Sequence, residues 1–238
     1  MAQVGIIYKP QQTSAAADPT LQGLGLVERG VSYVRIQWVD LINSVRFRIL
    51  PVSYFVRLCE TARPGVCLSK ATLGLVGISM AEGFTGTGEY LYAIDLSSFR
   101  LCPYAPGHAV VMGWFQEKIP PPSGILAAPL CPRTLLKNVV DEAKRKAGLS
   151  FLAGFEHEFI LLSATSPKLV TVNDAGYSCS AKSRTGTVEY VVMEEIANAL
   201  QAAGIELQMV HAEAAPGQVG LSDMYLRRTL TPDTVLVV

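Results

Sequence analysis

The segment FLAGFEHEFILL, residues 151–162, constrains the fold more than any other part of the sequence. Its aromatic and aliphatic residues predict a β-strand, in which successive side chains point to opposite faces. In that conformation the phenylalanines and His157 share one face, and Glu156 and Glu158 share the other. Burying two unpaired carboxylates costs more free energy than the packing of one strand returns. The glutamate face must therefore be open to water or lie against a positive charge.

Two interpretations of this pair remain open. The segment can be an edge strand whose outer face is solvated, because strands with one polar face are common. Alternatively the carboxylates bind a divalent cation, since hard oxygen ligands suit Mg²⁺ and Mn²⁺. The segment IELQMVHAEAAPGQ, residues 205–218, favours the cation, because a strand would place His211 and Glu213 on one face before a Pro-Gly turn. On its own, His211 would be typical of a structural histidine.

A proline-rich segment, IPPPSG at residues 119–124, predicts a linker near the middle of the chain. Three consecutive prolines remove three backbone donors and fix an extended path. Before it, residues 31–118 predict a small α+β unit with several strands and one helix. After it, residues 125–238 alternate helix, strand, helix and strand. Residues 1–30 lack a sustained period, and we expect a poorly ordered leader with at most one short helix.

Turn and cap residues place the individual elements. Residues 31–38 and 45–50 predict a hairpin, followed by a helix that starts at Pro51. In the second half, Pro132 opens a helix with an apolar face, and Gly148 ends it. A second helix is predicted at residues 188–203, with Gly204 beyond it.

Composition narrows the classes of function. Twenty Lys and Arg balance twenty Asp and Glu, so no basic field is available for a nucleic acid or an anionic membrane surface. No signal peptide or membrane span is visible, and five dispersed cysteines form no zinc motif, which predicts a cytoplasmic protein. Neither a G-x-S-x-G elbow nor a phosphate-binding P-loop is present, and GFTGTG at 83–88 is interpreted as a turn-rich loop.

The same segments resemble glutamine synthetases. GFEHEF and HAEAAPGQ are similar to the metal-binding motifs of that family, and residues 130–154 resemble the helix and strand that lead into the first motif. Residues 34–51 and 93–115 resemble the opening hairpin and closing segment of its N-terminal domain. The similarity runs in order over residues 31–238 and is of the kind seen in the fungal and bacterial synthetase-like branch. It implies an α+β fold, with an N-terminal β-grasp domain followed by a truncated catalytic domain of curved antiparallel sheet and helices.

The resemblance also implies a chemistry. Glu156, Glu158 and Glu213 match metal ligands shared between two Mg²⁺ or Mn²⁺ ions, and His211 and Gly154 match positions near ATP. The implied reaction joins glutamate to ammonia or a small amine through a γ-glutamyl phosphate. Full-length relatives are homo-oligomers. No catalytic residue is assigned, and the amine acceptor is left open.

Two departures from the family affect this expectation. The family has a further metal-binding glutamate where this chain has Gly220, and it continues for about as many residues again beyond position 238. These departures predict a truncated, impaired ligase. The alternative is a non-catalytic structural or regulatory protein that keeps the fold and a remnant metal site.

Overall fold

The computed structural model describes residues 20–149, 151, 154–174 and 184–224. These residues belong to two compact units, one containing the described residues up to 151 and the other those from 154 onward. In the described parts of both units, no helix combines the length and apolar character needed to cross a lipid bilayer.

A five-stranded mixed sheet forms the first unit, in the order β2-β1-β7-β6-β3. Neighbouring strands are antiparallel except β1 and β7, which are parallel. The strands of this unit, including a separate two-stranded hairpin of β4 and β5, are β1 (Tyr33–Val39), β2 (Val45–Pro51), β3 (Gly65–Ser69), β4 (Leu75–Val76), β5 (Ser79–Met80), β6 (Glu89–Leu101) and β7 (His108–Glu117). Residues 83–88 are neither helix nor strand, which confirms that GFTGTG is a loop.

The predicted hairpin is confirmed as β1 and β2, and a buried aspartate holds its turn. One carboxylate oxygen of Asp40 accepts hydrogen bonds from the backbone N–H groups of Ile42 and Ser44, at 3.1 and 2.8 Å. The other lies 2.5 Å from Nε of Arg46. Asp40 therefore closes the turn with its side chain, as aspartates commonly do.

One face of the sheet is covered by helix α1 (Val52–Cys59) and by residues close to the N-terminus. Phe55 of α1 and Leu24 are fully buried, and Leu26 is buried beside them in the same core. Residues 20–30 form turns rather than the short helix that was expected. They differ from the predicted loose leader because Leu24 and Leu26 pack into the core. Residues 1–19 of that leader lie outside the described residues.

Helix α2 (Pro132–Ala147) begins and ends where the sequence predicts. Pro132 is its first residue, and Gly148 follows with a positive φ of 66°, the left-handed conformation common after a helix. Its apolar face is only partly covered, since Leu135 and Val139 are 49% and 64% exposed. The buried residues of this helix are Arg133 and Val140.

Arg133 anchors α2 to the sheet. Its guanidinium donates to the carbonyl oxygen of Gly113 at 2.8 Å and to the carboxylate of Asp95 at 3.0 Å. It also lies 4.1 Å from the centre of the Trp114 ring. The compact unit therefore continues through the proline-rich segment and includes α2. The division into domains at 31–118 and 125–238 stays a prediction.

Replacing Arg133 with methionine is expected to lower the free energy of unfolding by about 3 kcal/mol, because it leaves the largely buried Asp95 carboxylate without its cation. Urea unfolding followed by circular dichroism measures this loss. Lys137→Met on the same helix is the matched control, since it breaks only an exposed pair with Asp141 worth about 0.5 kcal/mol. Equal losses in the two variants would contradict the anchor.

The second unit contains a three-stranded antiparallel sheet in the order β11-β12-β8, a small β9-β10 hairpin and one helix. Its elements are β8 (Gly154–Ile160), β9 (Leu162–Ala164), β10 (Val170–Thr171), α3 (Val188–Ala202), β11 (Leu207–Ala212) and β12 (Gln218–Met224). Helix α3 and strands β8 and β11 confirm predicted elements. The sequence analysis did not predict β12, which is the central strand.

Candidate metal centre

The three-stranded sheet divides the residues of β8 between a polar and a less exposed face. Glu156 and Glu158 are exposed, whereas Phe155, His157 and Phe159 are partly buried. This alternation confirms the faces predicted from the sequence.

Strand β12 connects the two segments that carry the predicted ligands. Gly220 of β12 is opposite Glu158 of β8 on one side and opposite His211 of β11 on the other. Directly opposed residues of antiparallel strands lie on the same face of a sheet. The ligands therefore approach each other across a central strand and not by direct pairing of β8 with β11.

An imidazole held between two carboxylates forms the centre of the site. Nε2 of His211 lies 3.0 Å from a carboxylate oxygen of Glu156, and Nδ1 lies 2.9 Å from Oε1 of Glu213. The side chains of His211 and Glu213 are partly buried, and that of Glu156 is exposed. Three of the five residues predicted to bind metal or nucleotide are therefore brought together.

Glu158, the third predicted metal ligand, has a different partner. Its Oε2 accepts a hydrogen bond of 2.7 Å from Nε2 of Gln218, whose own Oε1 accepts from the backbone N–H of Ala215 at 2.9 Å. The carboxylate lies on the same sheet face as the cluster but is not among its converging ligand atoms. Gln218 thus positions Glu158, a role that the sequence analysis missed.

Because Gly220 has no side chain, the side chains of His211 and Glu213 occupy the space next to it. A Cβ atom built at this position would lie 2.8 Å from Oε1 of Glu213 and 2.9 Å from Cε1 of His211. Contacts under 3.0 Å essentially do not occur for real Cβ atoms, so any other residue would displace these side chains. The sequence indicates only that Gly220 cannot supply a ligand. It does not indicate that this glycine makes room for the neighbouring side chains.

The turn between β11 and β12 has its own support. The backbone N–H of Gly217 donates to Oδ1 of Asn173 at 2.9 Å, and Nδ2 of Asn173 donates to Glu189 of α3 at 3.1 Å. Glu189 is buried. This network fixes the turn that brings β12 back beside β11, and no sequence motif indicated it.

Gly154, predicted to lie near the nucleotide, is the first residue of β8 and pairs with Met224 at the end of β12. It precedes Glu156 by two positions and therefore shares its register face. Its nearness to a nucleotide stays a prediction.

The donor set fits a divalent cation. The ligand atoms of Glu156, His211 and Glu213 all lie within 4.8 Å of one another, and this is the one such group among the described residues. Ligand atoms about 2.1 Å from a shared ion are separated by at most about 4.2 Å. Small side-chain rotations therefore suffice to bring all three to one ion.

The chain is similar to several known proteins. The family model described as "Glutamine synthetase, catalytic domain" matches residues 129–238. Protein fluG of Emericella nidulans is 32% identical over 197 residues, covering 79% of this chain and 22% of the relative. Type-1 glutamine synthetase 1 of Dictyostelium discoideum is 23% identical, covering 82% of this chain and 42% of the relative. Glutamate–isopropylamine ligase of a Pseudomonas species is 24% identical, with coverages of 83% and 44%.

Solved structures have the same fold. A structure described as "GmaS/ADP complex-Conformation 1" superposes with a TM-score of 0.69 at 19% identity, covering 89% of this chain and 45% of the other. A "novel glutamine synthase homolog" gives a TM-score of 0.68 at 23% identity, with coverages of 86% and 46%. The antiparallel and mixed sheets with helices described above fit this fold. The chain spans less than half the length of each of these proteins. It belongs to the glutamine synthetase family.

Proposed function

We propose that the chain belongs to a glutamine synthetase-like ligase that uses ATP to join glutamate to ammonia or a small amine. The observation that carries this proposal is the convergence of the Glu156 and Glu213 carboxylates with His211 on one sheet face. A relative named as a glutamate–isopropylamine ligase supports an amine acceptor as well as ammonia.

The proposed reaction has two steps. A γ-carboxylate oxygen of glutamate attacks the γ-phosphorus of ATP, and ADP leaves with the electrons of the broken P–O bond. The amine nitrogen then attacks the acyl carbon, phosphate leaves, and the nitrogen loses a proton to give the amide. A bound Mg²⁺ or Mn²⁺ supplies positive charge that screens the phosphates.

The residues take the following proposed roles. Glu156, Glu158 and Glu213 bind two Mg²⁺ or Mn²⁺ ions between them, because carboxylates are ligands that both kinds of ion prefer. His211 and Gly154 lie near ATP. Gln218 holds the carboxylate of Glu158 in place through its 2.7 Å hydrogen bond.

The finer architecture is also part of the proposal. Residues 31–118 would form a β-grasp domain, and residues 125–238 would belong to a catalytic domain, joined at 119–124. Assembly into a homo-oligomer follows from the family resemblance, and a cytoplasmic location follows from the dispersed cysteines. Both stay predictions.

A non-catalytic structural or regulatory role is the second candidate. Gly220 favours it, because glycine offers no side-chain ligand where the resemblance implies a metal-binding glutamate. The hydrogen bond between Glu158 and Gln218 favours it too, since it keeps that carboxylate out of the cluster.

Phosphate release separates the two candidates. The purified chain is mixed with ATP, MnCl₂ or MgCl₂ and glutamate, with and without ammonium or isopropylamine. A ligase releases phosphate only when glutamate and an amine are both present. Glu156→Gln is expected to reduce the rate of phosphate release by at least about 100-fold, because the cation then no longer screens the negative charge of the transferred phosphoryl group. Glu142→Gln, on the exposed face of α2, is the control. Manganese binding without any phosphate release would support the non-catalytic role instead.

A further inference from the structure

The position of His211 is unlike that of an ordinary surface histidine. Both ring nitrogens face a carboxylate oxygen, Glu156 on one side and Glu213 on the other. Its side chain is 28% exposed, so the ring is partly buried. The ligand atoms of the three side chains lie within 4.8 Å of one another, close enough for a cation to bind among them after a small contraction.

Gly220 makes this arrangement possible. Its absent Cβ would approach the His211 ring to 2.9 Å and Oε1 of Glu213 to 2.8 Å. A side chain at this position would crowd both the imidazole and the Glu213 carboxylate, so one of them would have to shift. Glycine at position 220 therefore supplies no oxygen ligand and leaves His211 room beside the two carboxylates.

We propose that His211 is itself a ligand of the bound cation in this chain, together with Glu156 and Glu213. The site then prefers Zn²⁺ and its neighbours in the first transition row, which suit imidazole, over Mg²⁺. The inference rests on the proposed binding of a cation by the two carboxylates. It changes the role of His211 from a residue near the nucleotide to a residue that holds the ion.

Ligand chemistry gives the direction of this preference. Mg²⁺ binds carboxylates, carbonyls and water in a strict octahedron and has little affinity for imidazole, whereas imidazole suits Zn²⁺ and its neighbours in the first transition row. Zinc sites in proteins combine imidazole with carboxylate ligands, as in those made of two histidines and one glutamate. Exchanging a glutamate ligand for histidine thus weakens Mg²⁺ binding relative to that of the transition ions.

Pulsed electron paramagnetic resonance on Mn²⁺ tests the ligand directly. The full chain is freed of metal, loaded with one equivalent of MnCl₂ without nucleotide, and examined for ¹⁴N hyperfine coupling. The chain has three histidines, His108, His157 and His211. We expect coupling in the unaltered chain and in His108→Gln, because His108 lies in the first unit, stacked on Tyr33. We expect none in His211→Gln.

Affinity measurements add a second readout. Titration calorimetry with MnCl₂, ZnCl₂ and MgCl₂ is expected to show His211→Gln losing at least about 10–100-fold in affinity for Mn²⁺ and Zn²⁺, the loss typical even of residues that only support a ligand. Binding of Mg²⁺ should change by less than about threefold. Gly220→Ala should also weaken the ¹⁴N coupling, because its methyl group crowds the ring and the Glu213 carboxylate.

The outcomes separate this inference from the proposed function. Bound Mn²⁺ without ¹⁴N coupling, or coupling that persists in His211→Gln, overturns the role of His211 and leaves the ligase proposal standing. Coupling that depends on His211 supports the inference even if no phosphate is released from ATP, a result that would overturn the ligase proposal alone. An absence of metal binding at millimolar concentration overturns the inference.

Discussion

Replacing Glu156 and Glu213 together with glutamine is expected to abolish binding of Mn²⁺, with a loss in affinity of more than about 100-fold. Each carboxylate lies beside a different nitrogen of the His211 ring, Glu156 at 3.0 Å and Glu213 at 2.9 Å. Glutamine keeps the size of each side chain but removes its negative charge, and a neutral amide oxygen cannot offset the dehydration of a dication. Loss of a residue that only supports a ligand costs about 10-fold or more in metal affinity. Loss of a direct ligand costs at least as much, so the loss of two costs more still. Titration calorimetry measures the affinity.

The control for this double variant is Glu142→Gln together with Glu89→Gln. These glutamates are exposed in the first unit and pair with lysines, so the control removes the same net charge from elsewhere in the chain. It should leave Mn²⁺ affinity within about twofold. The unfolding free energy without metal should change by less than about 1 kcal/mol in the site variant, because its carboxylates are not fully buried. Metal affinity that falls equally in both variants would mean that net charge, and not the cluster, attracts the ion.

The sequence predicts which side chains form the candidate site better than it predicts their arrangement. A period of two is enough to put Glu156 and Glu158 on one face, and the cap residues Pro132 and Gly148 are enough to bound a helix. These are local signals, and the structure confirms them. Glu156 and Glu158 nevertheless have different partners, because Gln218, which is distant along the chain from β8, donates a hydrogen bond to Glu158.

Strand β12 was missed for a physical reason. Its sequence QVGLSDM contains a glycine and polar residues that are poor strand formers on their own. Pairing on both sides, with β11 and β8, supplies the hydrogen bonds that local propensity does not. Gly220 lowers the strand propensity of this segment and at the same time makes room for His211. The residue that made the strand hard to predict therefore also affects the geometry of the site.

Burial of isolated hydrophobic residues was equally hard to foresee. Leu24 lies between two glycines in a segment without a sustained period, yet it is fully buried. By contrast, Val139 belongs to a clear helical apolar face and is 64% exposed. Which apolar residues are covered depends on the packing of distant segments, and periodicity describes only one element at a time.

Replacing Gly217 with alanine is expected to disrupt the turn between β11 and β12 and to remove the metal site with it. Gly217 has a positive φ of 68°, and its added Cβ would lie 2.8 Å from the carbonyl oxygen of Leu161 and 3.2 Å from Cβ of Thr171. The left-handed backbone costs about 1–2 kcal/mol for a residue with a Cβ, and overpacking against fixed backbone adds about 1–3 kcal/mol. We therefore expect a loss of about 3 kcal/mol in the unfolding free energy, measured by urea titration.

A second glycine in the same unit separates the two causes. Gly204 also has a positive φ, 76°, but no atom lies within 4 Å of the position of its Cβ. Gly204→Ala therefore incurs the conformational cost alone, about 1–2 kcal/mol, and should retain Mn²⁺ binding. Of the two glycines, only Gly217 has no room for a Cβ, because Leu161 and Thr171 lie against it. Only Gly217→Ala should therefore lose both stability and metal affinity. Equal effects of the two variants would show that backbone conformation, and not this close contact, maintains the site.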